Sequence, residues 1–366
     1  MRLIRSLVCA TLAMSACAPA APEREAGLRL PGPRAAHASV ALADGRVLLI
    51  GGCVQGSCDS GPASATADMF DPRSGSIAAA GRLVSARISA GAVALADGKV
   101  LIVGGWAGTS PTADAEIFDP KTGRSRAVAP MAAARADAAV AMLPDGRVLV
   151  AGGYDGSARL AGAEIFDPAT GRFTPVGDLA VARAGAAVAP LPDGRILVTG
   201  GSVGSGSDVR PTAAAEIFDP RALRFSRTGD MAEPRYKHGA AALPNGEVLV
   251  VAGSDERDYR GKKATLELYD PVRGTFRAAG RLQVERFKLP DAIVPLRDGR
   301  VLIAGGAPHP EIYDPRTGRT TVVDVDLGGA WNFMTADLLP DGRVLLAGGY
   351  SEGNIQLSDR AWLLRL

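Results

Sequence analysis

The chain has 366 residues, 47% of them hydrophobic but only 5% aromatic, with 45 glycines and 25 prolines. That length admits two average domains or one large repeat domain, and the glycine and proline content predicts short strands broken by frequent turns. The formal charge is +2, which Arg2 and Arg5 account for, so the remainder offers no global field for nucleic acid or an anionic membrane.

At the N-terminus, Arg2 and Arg5 precede an apolar run from Leu7 to Met14 and then small residues, the layout of an export signal. The run is too short to span a bilayer as a retained helix. Leu12-Ala13-Met14-Ser15-Ala16-Cys17 resembles a bacterial lipobox, with Met14 where leucine is usual. The resemblance implies a signal over 1–17, lipidation of Cys17 and, because Ala18 and not Asp follows, sorting as an outer-membrane lipoprotein. The alternative is cleavage near Ala18-Pro19-Ala20, giving a soluble periplasmic or secreted protein. Residues 18–27 read as a linker, and contact with the membrane is expected only through the lipid anchor. Cys53 and Cys58 share a loop and are expected to form a disulfide in an oxidising compartment. A metal site would need two further ligands, and none lie nearby in sequence.

From Leu28 onward one unit repeats. Asp-Gly or Asn-Gly turns begin at Asp44, Asp97, Asp145, Asp193, Asn245, Asp298 and Asp341. Each leads into an apolar β-rich run such as Val148-Leu149-Val150-Ala151, which closes on a di-glycine; Gly253-Ser254 replaces it in the fifth copy. A second strand ends in an aromatic, Asp and Pro, as in Phe166-Asp167-Pro168. A glycine turn and a short outer strand follow, then Leu or Met and, four residues on, Arg (Arg87, Arg135, Arg183, Arg235, Arg286). Asp-Gly between apolar runs predicts a two-residue hairpin with positive φ at both central positions. Each unit thus holds four strands, and units must stack to bury both faces.

The di-glycine, the aromatic-Asp-Pro strand and the Leu/Met-then-Arg spacing resemble the kelch-repeat family, galactose-oxidase-like propellers included, with Phe173, Phe225, Phe276, Ile77, Ser125 or Thr320 at the usual outer-strand Trp. The resemblance implies an all-β, seven-bladed β-propeller of kelch type over 28–366, with four-stranded antiparallel blades. The seventh unit supplies only three strands. Leu28-Arg29-Leu30-Pro31 is therefore expected to close blade seven as its N-terminal strand.

The default ligand site of a propeller is the axial mouth. Ten residues before each turn stand Arg34, Arg87, Arg135, Arg183, Arg235, Lys288 and Trp331, with Arg286 a rival to Lys288 because the sixth unit carries a two-residue insertion. A cationic ring would suit a carboxylate, phosphate or acidic sugar. Pairing with Glu116, Glu164, Glu216, Glu267 and Glu311 is the competing reading. Repetition lapses in units five to seven: Arg235-Tyr236-Lys237-His238, Arg286-Phe287-Lys288 with Asp291, and Trp331-Asn332-Phe333, with His37 of unit one matching His238 and Asp291. The candidate ligand-binding set is Arg34, His37, Arg87, Arg235, Tyr236, Lys237, His238, Arg286, Lys288, Asp291, Trp331 and Asn332.

No metal-protease, P-loop or nucleophile-elbow motif is present, and no catalytic residue, metal or cofactor is assigned. The leading expectation is a monomeric, non-enzymatic envelope module holding a glycan, peptide or protein at the mouth. The first alternative is a carbohydrate-active enzyme, since the resembled family includes a copper-radical sugar oxidase and a sialic acid mutarotase. The oxidase requires two tyrosines and two histidines around copper; a mutarotase-like sugar isomerase requires only a base and a cationic clamp. The second alternative is a scaffold subunit of an outer-membrane complex.

Overall fold

The computed structural model describes residues 23–25, 27–56, 58, 61–206, 208–352 and 355–366. Within them the regular structure is β throughout, apart from one 3-10 turn at Asp258–Arg260. The signal segment and Cys17 lie outside the described residues.

The third unit illustrates the repeat. Its strands Ala139–Met142, Val148–Ala151, Ala163–Asp167 and Arg172–Val176 pair antiparallel in sequence order. The second strand is buried at every position because neighbouring sheets cover both of its faces. The first is small because it stands nearest the axis.

The hairpin between these first two strands corrects the expected turn. Leu143 N–H donates to the Arg147 carbonyl and Gly146 N–H to the Leu143 carbonyl, which makes a three-residue loop. Only Gly146 is left-handed (φ 84°). This is a type I turn with glycine in the bulge position, and Pro144 pre-sets its first φ. Asp145 accepts from the Arg147 N–H, so its contribution is a local side-chain turn. The other copies repeat the pattern, from Gly45 to Gly342.

The expectation of seven separate four-stranded blades is also corrected. The described residues form five four-stranded sheets and one sheet of eight strands, besides three short two-stranded ribbons. The eight-stranded sheet joins the first two sequence units edge to edge. Its seam is a parallel contact between the outer strands Ser76–Arg87 and Arg124–Ala127 at Arg82 and Arg124. Gly81 and Gly123 allow this approach: a Cβ on Gly81 would lie 2.1 Å from the Gly123 carbonyl oxygen.

The closing strand is likewise displaced. Glu23–Glu25 pairs with Ala361–Arg365, in register Arg24 to Leu364, within the region read as a linker. Leu28–Pro31 contributes a short antiparallel bridge, Arg29 to Arg360, in which Leu30 N–H donates to the Asp359 carbonyl and the Leu28 carbonyl accepts the Ala361 N–H. Leu30 turns inward to pack with Val47 and Leu345, and Pro31 has no N–H for a ladder. The innermost strands still follow one another round an axis, and Thr335–Leu338 packs against Ala38–Ala41.

Candidate functional site

The arginines do not supply a cationic mouth. Arg87, Arg135, Arg183, Arg235 and Arg286 are buried and reach Glu116, Glu164, Glu216, Glu267 and Glu311 at 2.6–3.0 Å. Arg34 is held the same way by Asp68, a partner sequence reasoning missed because the other units use Glu. In the second unit Arg87 Nη1 also donates to the Gly104 and Asp114 carbonyls, while Glu116 accepts the Val84 N–H. Each pair therefore latches the segment entering a unit onto that unit's third strand. The repeated Leu/Met-then-Arg spacing is the record of this latch.

In the last unit both latch residues are replaced. Trp331 takes the arginine position and Trp362 the carboxylate position, with ring centroids 6.2 Å apart. Trp331 is buried and donates its indole N–H to the Leu327 carbonyl. Its predicted place at the mouth is corrected to the core between sheets.

The two predicted histidines are also inward. His37 Nε2 contacts Thr335 Oγ1 at 3.1 Å, and His238 Nε2 contacts Thr199 Oγ1 at 3.0 Å. Each ring fills the space over a glycine of the preceding unit, Gly348 and Gly200. Burial, with nearby arginines adding repulsion, pulls both imidazoles down to about 3. Neither is a base poised for neutral pH.

What does face the mouth is set by the residue two positions after each latch arginine. Ala36, Ser89, Asp137, Gly185, Lys237, Lys288 and Phe333 all have φ between 49° and 65°. Backbone bonds join neighbours across units: Lys288 N–H donates to Lys237, Phe333 to Lys288 and Ala36 to Phe333, at 2.8–3.2 Å. Left-handed Lys and Phe carry a strain that surrounding structure must hold, and such positions concentrate at functional sites. The insertion in unit six falls after Lys288. Arg286 therefore keeps the latch while Lys288 turns to the mouth.

Lys288 lies under an aromatic canopy. Its Nζ is 4.1–5.5 Å from the ring centres of Tyr259, Phe287, Tyr350 and Phe333. It donates to the Tyr259 hydroxyl at 2.9 Å and to the Tyr350 hydroxyl, and the two hydroxyls stand 2.8 Å apart. Around them Lys237 and Tyr236 meet Asp258, and Lys262 and Asn332 meet Glu352. Burial opposes ionisation of Asp258, yet Lys237 and then Lys288 hold its carboxyl below the ordinary range. Burial and then Asp258 raise the Tyr236 phenol.

A second polar group lies along the axis. Asp291 is exposed to solvent, although much protein lies close around it. Burial pushes its carboxyl up to about 6. Asp337 goes to about 7 through burial, partly opposed by Ser39, with Asp291 adding repulsion. Cys53 and Cys58 form a disulfide, and Cys53 packs in one cluster with Tyr350 and Phe333.

The comparisons with known proteins agree on the architecture. The family model described as Kelch motif matches residues 87–132 and 135–180. No curated protein matches the chain. Among solved structures, a fungal alcohol oxidase of the AA5 family, in complex with copper, is similar with a TM-score of 0.76 at 16% identity, over 94% of this chain and 76% of that one. That protein is itself an oxidase, so the shared fold gives no support to the reading as a purely non-enzymatic, protein-binding module, which is set aside.

The residues here do not fit copper. Among the described residues, no three His, Cys, Asp or Glu side chains converge. The two histidines nearest the axis are turned to threonines, and the cation between the two phenols is the ammonium of Lys288. The chain thus carries the Kelch motif at residues 87–132 and 135–180 and has a galactose-oxidase-like β-propeller fold.

Proposed function

We propose that the chain is a carbohydrate-active enzyme, a sugar isomerase working by acid–base chemistry at the axial mouth without a metal. The observation that carries this reading is the pair of phenol oxygens 2.8 Å apart, both receiving Lys288. Two phenol oxygens this close can each come within hydrogen-bond reach of one of the two oxygens carried by an anomeric carbon. Negative charge on either phenol oxygen would be stabilised by the ammonium beside it.

One phenolate then takes the proton of the anomeric hydroxyl while the other phenol protonates the ring oxygen. The ring C–O bond breaks and a carbonyl forms. The sugar recloses on the other face, and the proton passes back between the hydroxyls. Tyr259 and Phe333 offer apolar faces on which the C–H side of a pyranose can stack. The Cys53–Cys58 disulfide suits an exported protein, in keeping with the lipobox-like leader.

The test is polarimetry and saturation-transfer NMR on a panel of neutral and acidic reducing sugars. Anomer exchange should exceed the buffer rate, persist in EDTA, and fall by about 10²–10⁴-fold in Tyr259→Phe or Tyr350→Phe. Folded protein that accelerates no sugar in the panel, or that releases peroxide only with added copper, would overturn it.

A further inference from the structure

We infer that the loop 255–262 is a strap that must lift before any ligand reaches Lys288. It leaves unit five, packs Tyr259 edge-on against Phe287 of unit six and lands on unit seven. Its base is pinned by the Ser254–Lys262 bridge and by Asp255 N–H donating to Gly261. Its far contacts are the Tyr259–Tyr350 hydroxyl pair and the ion pair of Lys262 with Glu352 at 2.6 Å. A second ion pair, Asp258 with Lys237 at 2.8 Å, ties its middle to the mouth ring.

The consequence is an asymmetry of exposure. Tyr259, on the strap, is 41% exposed, whereas Lys288 beneath it is 6% exposed. A sugar-sized molecule cannot reach the ammonium with Tyr259 seated on it. Two partly solvated ion pairs and the hydroxyl contacts Tyr259–Tyr350, Lys288–Tyr259 and Tyr236–Asp258 hold the strap, polar contacts that water can replace, so its closure can open thermally and is screened by salt. Both properties suit a lid over a site that must exclude water and then release product.

The strap can be tested without knowing the substrate, so its failure is separable from failure of the isomerase reading. The full-length protein is treated with an amine-reactive acetylating reagent, and labelling rates of single lysines are read by peptide mass spectrometry. Lys288 should label at least about tenfold more slowly than the partly exposed Lys99. Its rate should rise about two- to fivefold in Glu352→Gln, in Lys262→Gln and at high salt, with no loss of melting temperature beyond a few degrees. Tyr259→Phe should raise it modestly and Tyr259→Ala more. Lys288 labelling as fast as Lys99 in the parent protein would overturn the strap. So would rates unmoved by Glu352→Gln and by salt, or rising only in step with global unfolding.

Discussion

Trp331 and Trp362 show what the buried latch is for. Five units place an Arg–Glu pair there and one an Arg–Asp pair, while the last fills the same space with two indoles. Desolvating two charges roughly cancels their attraction, so an apolar pair of similar volume can replace them with little net loss. Removing one partner is different, because the other charge stays buried. Arg183→Met should cost about 3–5 kcal/mol by leaving Glu216 with only the Ala180 and Val181 amides. The double variant Arg183→Met/Glu216→Leu should recover most of that loss. Urea unfolding of the three proteins gives the answer. A single variant costing under about 1 kcal/mol, or a double no better than the single, would show that the latch is not the organising contact.

At the level of elements, the seam between the first two units depends on Gly81 more than on any side-chain contact. Gly81→Val forces a branched side chain against the Gly123 backbone and should cost about 1–3 kcal/mol. A melting temperature equal to the parent's would mean the seam is incidental. Lys288 labelling should stay as in the parent, because the strap belongs to units five and seven. The same elements show what the sequence carried. Turn positions were legible because glycine must supply a positive φ, but the loop also takes in the residue before the Asp, whether Ala, Pro or Arg, and so is three residues long. The closing strand was misplaced because Leu28 and Leu30 look like a strand, whereas Glu23–Glu25 is polar, as edge strands tend to be. Lys288 stood out where an insertion broke the repeat. Tyr259 and Tyr350 did not, because their contact joins two loops 91 residues apart with no local spacing to betray it. Asp337 left a signal that was readable: the matching positions are Val40, Val93, Ala141, Ala189, Ala241 and Val294.

Closing the sheets around an axis gives the whole molecule a property no single unit has, a polar channel walled by apolar strands. Asp337 sits in that wall with one carboxylate oxygen buried and unpartnered, next to Asp291 and Ser39. Its carboxyl titrates near 7 in the fold and near 4 in the unfolded chain. The folded state therefore binds the extra proton, and stability is highest below about pH 4 as far as this group is concerned. As pH rises the unfolded chain ionises first, so stability declines through the window from about 4 to 7 and levels off above it. Asp291, raised to about 6, acts in the same direction. Channel water reduces the effect below that of a dry core, to on the order of 1–2 kcal/mol for Asp337. Asp337→Asn keeps the shape and removes the charge, and should flatten the pH dependence and raise stability at pH 8 while changing little at pH 4. Melting curves of parent and variant across that range decide it. If the parent is as stable at pH 8 as at pH 5, or if Asp337→Asn is less stable at pH 8, then Asp337 is ionised in the fold and a cationic partner in the channel must be holding it.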